Sequence, residues 1–276
     1  MNMIDELLQR LAVEGEAEQV LRMVNKLAHA KSEMVRASIP SLIVVAESGA
    51  GISSYGKGFA EIIDKSTVLQ VKGRETFLEL VFPKNNDEDE KLFFSSPQRA
   101  SAIRNKFYGT FLISLEEYEG NDLLRSKSFS RLCEFIKENK ENIFFIFHVR
   151  PEFNQRKQLI SELSRYLNLC EVSLEKPDEK RGFAYITGIL NKQGLSMDGD
   201  AEQCLRKMLT DISGTKSYAG YQTLNNFLDR LYYEAAALSD VEEIRIEKEA
   251  VVLAGEKMRE EINTMNAGST QLGFHM

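Results

Sequence analysis

The chain has 276 residues, 35 Lys and Arg against 42 Asp and Glu, a formal net charge of −7 and 43% hydrophobic content. That length is ample for a buried core, and the acidic balance excludes a general binder of phosphate backbones, which needs a basic face. No apolar run approaches the roughly 20 residues of a bilayer-spanning helix, and the N-terminal residues mix charged and apolar groups in a way a secretory signal does not. The three cysteines (Cys133, Cys170, Cys204) lie far apart with no C-x-x-C pair. Neither structural zinc nor a disulfide framework is expected from them, and the default compartment is a reducing cytoplasm.

In chain order, residues 3–36 read as helix, with Ile4, Leu7, Leu8 and Leu11 at helical spacing and Val20, Leu21, Val24, Leu27 and Ala28 repeating the pattern after Gly15. Pro40 ends that element. Leu42-Ile43-Val44-Val45-Ala46 then reads as a buried parallel strand, and it runs through Glu47-Ser48-Gly49-Ala50-Gly51 into a helical stretch ending near Ile63. Residues 67–94 look strand-rich, at 68–71, 77–82 and 92–94, with a charged run at 85–90 that reads as a solvated loop. A helix over 98–106 precedes a buried strand at 110–113, and a helix over 129–139 precedes another at 143–147. Strands alternating with helices at this spacing predict an α/β fold, a P-loop-like, doubly wound, mostly parallel sheet. After Pro177 three helical patterns, 179–192, 198–212 and 222–238, follow without a strand between them, then a charged helix over 240–263. The expected organisation is a helical lead-in (1–38), an α/β core (39–177), an all-helical lid (178–239) and a C-terminal helix and tail (240–276).

A strand, a glycine-bearing turn and a helix are the setting of a phosphate-binding loop. Its chemistry needs backbone N–H groups around phosphates, a lysine on the β and γ oxygens and a hydroxyl on magnesium. Laid on G-x-x-x-x-G-K-[ST], Ala46-Glu47-Ser48-Gly49-Ala50-Gly51-Ile52-Ser53 keeps the second glycine and the hydroxyl, but has alanine for the first glycine and isoleucine for the lysine. A second register, from Gly51 to Gly58, supplies Lys57 but puts glycine at the hydroxyl position. The first places the turn directly after the strand and gives a helix of ordinary length. Gly56 and Gly58 inside that helix count against it, at about 1 kcal/mol each relative to alanine. The candidate binding residues are therefore Gly49, Gly51 and Ser53, with Lys57 in the alternative register.

With these segments in order, the chain resembles the AAA+ ATPases, within them the group of red-type Rubisco activase and the stage V sporulation protein K. Thr110-Phe111-Leu112-Ile113 followed by Ser114-Leu115 is similar to that family's Walker B strand, and residues 132–147 to the helix and sensor 1 strand, which ends here in Val149-Arg150-Pro151-Glu152. The segment 193–198 with the helix 201–209, the helix 218–232 and the ending Gln271-Leu272-Gly273-Phe274 resemble the family's lid and close.

The resemblance implies losses at the catalytic positions. Ile52 stands for the phosphate lysine, Ser114 for the magnesium-organising aspartate, Leu115 for the water-activating glutamate and Gln222 for the sensor 2 arginine. Arg150 and Arg156 follow sensor 1 but read as surface charges. Glu116 is the carboxylate that keeps the face of Ser114 in an extended strand. Without lysine and carboxylates, phosphate charge, metal and attacking water lose their organisers. His148, at a strand end with no Ser or Cys motif beside it, reads as hydrogen-bonded structure rather than as a base.

The expectation is a degenerate AAA+ module without ATP hydrolysis, a regulatory or scaffolding subunit needing no cofactor or metal. Its expected partners are proteins, an active AAA+ paralogue or a second copy, with neither nucleic acid nor membrane. The alternative is a nucleotide-binding, chaperone-like ATPase with weak hydrolysis, for which ATP or ADP and magnesium are the cofactors. A third reading is an unrelated doubly wound enzyme with its pocket at the carboxyl ends of the strands.

Overall fold

Strand β1 (Ser41–Ala46) is buried at all of its positions, as its unbroken apolar run requires. In the computed structural model, which describes residues 2–66, 77–82, 109–116, 122–239 and 245–270, β1 lies between β4 (Ile143–Val149) and β5 (Leu169–Leu174). Beyond β4 come β3 (Gly109–Ser114) and then β2 (Phe77–Val81). Among the described residues the sheet has five strands in the order β2-β3-β4-β1-β5, and every pairing is parallel. The predicted doubly wound α/β sheet followed by a helical C-terminal part is the fold that forms.

Strand alternation sorts the side chains into two layers. Ile43 and Val45, Phe111 and Ile113, and Phe145, Phe147 and Val149 join one core with Phe129, Leu132 and Ile136 of α6 (Lys127–Asn139) and Leu159 and Leu163 of α7 (Arg156–Leu163). Ser126 caps α6 by accepting the Phe129 N–H at 3.0 Å, one residue beyond the short helix α5 (Asp122–Arg125). The other face is covered by α4 (Ile52–Lys65), whose Phe59 packs edge-on to Phe144 at 6.0 Å between ring centroids.

The glycines within α4 are explained by this packing. A Cβ on Gly56 would stand 2.9 Å from the Phe77 ring, and one on Gly58 2.7 Å from a Leu11 methyl. The helix gives up propensity so that the sheet and the lead-in can approach it. The lead-in itself is three helices rather than one: α1 (Met3–Leu11), α2 (Gly15–Ala28) and α3 (Glu33–Arg36). Gly15 takes a positive φ of 67° ahead of α2, and Arg22 ties α2 back to α1 through Asp5 at 2.8 Å. The buried Tyr55 hydroxyl donates to the Ala17 carbonyl at 3.0 Å.

The chain divides into two compact units, Met1–Glu47 with Gly51–Glu175, and Ser48–Ala50 with Lys176–Met276. The second is built on α8 (Glu179–Lys192), α9 (Gly199–Ser213), α10 (Tyr221–Leu238) and α11 (Lys248–Thr270). Leu190, Leu205, Ile212, Phe227, Leu231 and Val251 belong to its shared core. Asp178 and Asp198 cap α8 and α9 by accepting the Arg181 and Ala201 N–H groups at 2.9 and 2.6 Å. The last helix starts at Lys248 rather than near 240, because Ile246 pairs in an extended bridge with Met197.

Among the described residues three elements escaped the sequence reading, α5, α7 and β5. In β5 the run Leu169-Cys170-Glu171-Val172-Ser173-Leu174 is an edge strand with mixed polarity and lacks the continuous apolar signature of its neighbours. The strands expected at 68–71 and 92–94, the helix at 98–106 and the acidic run at 85–90 lie outside the described residues.

Thr110 is fully buried on β3, and its hydroxyl has no hydrogen-bond partner among the described residues. A buried orphan hydroxyl is destabilising, so the near-isosteric Thr110→Val is expected to raise stability by about 1 kcal/mol. Urea unfolding is expected to show a higher midpoint at unchanged slope.

Candidate functional site: the carboxyl ends of β2, β3 and β4

The face of the sheet beneath α4 changes character along the strands. Toward the amino ends it carries Phe77, Thr110 and Phe144, at mid-strand Glu79, Leu112 and Ile146, and toward the carboxyl ends Val81, Ser114 and His148. Register brings Ser114 directly beside His148. Crossover connections place loops and ligands at this end of a parallel sheet, so it is where the chemistry of the fold is sought.

His148 is 3% exposed, and both ring nitrogens are engaged. Nε2 lies 3.0 Å from the Ala46 carbonyl oxygen, and Nδ1 lies 3.1 Å from Ser114 Oγ. A carbonyl can only accept, so Nε2 carries the proton and Nδ1 accepts from the serine hydroxyl. The neutral imidazole therefore joins the last residues of β1 and β3 across β4. Burial pushes its pKa below the ordinary histidine value; the Ala46 carbonyl and the carboxylates of Glu116 and Glu79 work against that shift but do not reverse it. Ser114 Oγ also accepts the Glu116 N–H at 3.4 Å. The expectation that His148 is hydrogen-bonded structure is met.

The neighbouring polar groups are likewise taken up by one another. The Ser53 hydroxyl donates to Glu79 Oε1 at 2.7 Å. Glu116 Oε1 receives both Nη2 and Nε of Arg150, at 3.0 and 3.1 Å. Leu115 is 1% exposed and packs in the sheet core, so the position next to Ser114 faces hydrophobic side chains. Arg156 lies 3.6 Å from Glu171.

α4 begins at Ile52, with Gly51 at its N-cap in the left-handed region (φ 84°, ψ 26°) and the Gly51 carbonyl accepting the Tyr55 N–H at 2.9 Å. Ser53 therefore stands in the first turn, and Lys57 is exposed further along the helix. Turn and helix thus coincide as the first of the two loop registers requires. Gly49 (φ 87°) belongs to the second unit, as does Gln222, which is exposed in the first turn of α10.

Ile52 presents an apolar side chain at the start of α4, and the hydroxyls of Ser53 and Ser114 and the carboxylates of Glu79 and Glu116 are bonded to protein groups. Among the described residues no group of three or more His, Cys, Asp or Glu is placed to hold a metal ion. Glu79 is the residue that sequence reasoning missed. It was visible as an acidic residue at an alternating position of a strand, but its link to Ser53 depends on which strand stands at the sheet edge.

A neutral, buried histidine stabilises the fold above its unfolded-state pKa, about 6.5, and that contribution is lost as pH falls toward its depressed folded-state pKa. Stability measured by chemical denaturation is thus expected to decline as pH falls below about 6.5. His148→Gln, whose amide can donate to Ala46 and accept from Ser114, is expected to flatten that decline. His148→Leu, which orphans both partners, is expected to lose about 1–3 kcal/mol at neutral pH.

No protein-family model matches the sequence, and no curated protein matches it. Among solved structures, the chain is similar to PCH-2 of C. elegans, with a TM-score of 0.56 at 13% identity over 94% of this chain and 72% of that one. It is similar also to a mutant of RuvB from Thermotoga maritima, with a TM-score of 0.56 at 11% identity over 89% of this chain and 70% of that one. At such identities the likeness is one of fold. Over most of its length the chain shares a fold with these two proteins, in its case a parallel sheet in the order β2-β3-β4-β1-β5 followed by a C-terminal helical part.

Proposed function

We propose that the chain is a degenerate AAA+ module that does not hydrolyse ATP and acts as a regulatory or scaffolding subunit through protein partners, an active AAA+ paralogue or a second copy of itself. The observation that carries this reading is the closure of the polar cluster on itself. Ser53 is bonded to Glu79, Ser114 to His148 and Glu116 to Arg150. Phosphoryl transfer is almost entirely positioning and charge stabilisation, so a site with an apolar side chain at Ile52 and, among the described residues, no free carboxylate beside Ser114 lacks the means to do it. No helix among the described residues is long and apolar enough to cross a membrane, and the acidic balance of the chain disfavours nucleic acid as the partner.

A second reading, weak nucleotide or anion binding, is favoured by one feature. The N-terminus of α4 has no side-chain cap, and the amides of a helix N-terminus attract anions irrespective of side-chain losses.

Calorimetric titration with ATP and magnesium separates the two. It is expected to give no dissociation constant tighter than about 100 μM, and turnover in a preparation free of contaminating ATPase is expected to stay below about 0.1 per second. Ile52→Lys is expected not to rescue turnover, because Ser114 and Leu115 still organise neither metal nor water. Hydrolysis by that single variant would show that Glu79 or Glu116 already serves the metal.

A further inference from the structure

Residues Ser48–Ala50 follow β1 in sequence, yet they belong to the second compact unit. There the Gly49 carbonyl accepts the N–H of Tyr221, the first residue of α10, at 3.0 Å. The approach is close from both sides. A Cβ on Gly49 would stand 2.2 Å from the Ala219 carbonyl oxygen, and a Cβ on Gly220 would stand 2.2 Å from the Gly49 carbonyl oxygen. Both glycines also have backbone angles that other residues rarely adopt, φ 87° at Gly49 and φ 57°, ψ −130° at Gly220. Space and backbone conformation each demand glycine at these two positions.

The facing segment is held in place by bonds of its own. The Tyr218 hydroxyl donates to the Pro177 carbonyl at 2.6 Å, and the Ala219 N–H donates to Thr223 Oγ1 at 2.9 Å. The Tyr221 N–H sits where a helix supplies no acceptor, because the first amides of a helix have no partner one turn back. Gly49 supplies the acceptor instead.

We propose that Ser48–Ala50 is a strap of the helical unit: the glycine-bearing turn makes a backbone clasp with residues 219–221, and Gly49 serves that clasp rather than a phosphate. The strap is a conformational device built into the helical unit, since Gly49 is fastened to the start of α10 through main-chain atoms. It goes beyond the proposal that the module is inactive, because the clasp holds whether or not an anion reaches the N-terminus of α4.

Hydrogen exchange on the full chain tests it. In the native protein the Tyr221 amide is expected to exchange at least about tenfold more slowly than in an unstructured peptide, and free exchange would overturn the strap. Tyr221→Pro removes the donor at the first helical position, where proline is tolerated, while Tyr221→Ala keeps the donor. Both lose the ring that packs edge-on to Tyr185 at 4.9 Å. Exchange across residues 47–52 is expected to be about fivefold faster in Tyr221→Pro than in Tyr221→Ala, the effect of one lost hydrogen bond. Equal exchange in the two variants would refute the clasp. Titrating the same samples with magnesium–ATP keeps the two proposals apart. Tight binding that leaves Tyr221 protected sinks the inactive-module reading alone, whereas binding that abolishes the protection sinks the strap.

Discussion

A parallel strand with apolar side chains on both faces must be covered on both, and β1 imposes that condition on the whole sheet unit. Leu42 and Val44 look toward one layer of helices, and Ile43 and Val45 toward the other. Burying one large aliphatic side chain contributes roughly 1.5–3 kcal/mol, and β1 carries four of them in succession. The crossover helices that supply the cover leave the carboxyl ends of the strands as the place where polar groups converge. The position of Ser114 and His148 is thus a consequence of how the sheet is buried.

At that end the buried groups are neutral and satisfy one another, while the charged ones, Glu79 and the Glu116–Arg150 pair, reach water. An unpaired carboxylate or ammonium beside a fully buried histidine would carry a large desolvation penalty. A serine hydroxyl donating to a neutral imidazole carries little, and it satisfies the Ala46 carbonyl through the same ring. The Glu116–Arg150 pair lies further out, partly in water, where an ion pair contributes at most about 1 kcal/mol to stability.

Two kinds of glycine flank this region and act by different means. Gly56 and Gly58 have ordinary helical backbones and are small so that Phe77 and Leu11 can approach α4. Gly49, Gly51 and Gly220 are needed for positive φ, and at Gly49 and Gly220 the backbones also meet too closely for a side chain. A glycine-rich stretch such as 49–58 is therefore two structural devices in succession, a turn and a packed helix.

Periodicity and the order of elements were enough to determine the fold. The apolar runs at 42–46, 110–113 and 143–147 could be satisfied only as buried parallel strands, and the helical repeats after Pro177 only as a separate helical part. The strand, turn and helix over 41–65 were legible because an apolar run, a pair of glycines and a helical repeat follow one another there. What the sequence could not determine is whatever depends on residues far apart in the chain. Cys170, Glu171 and Ser173 hid β5 because an edge strand needs only half of its side chains buried. The link of Ser53 to Glu79 and the bridge from Ser114 through His148 to Ala46 exist only once strand order and register are set. Hydrogen bonds act over about 3 Å, and no pattern along the chain reports which distant residues come that close; the tertiary structure alone decided it.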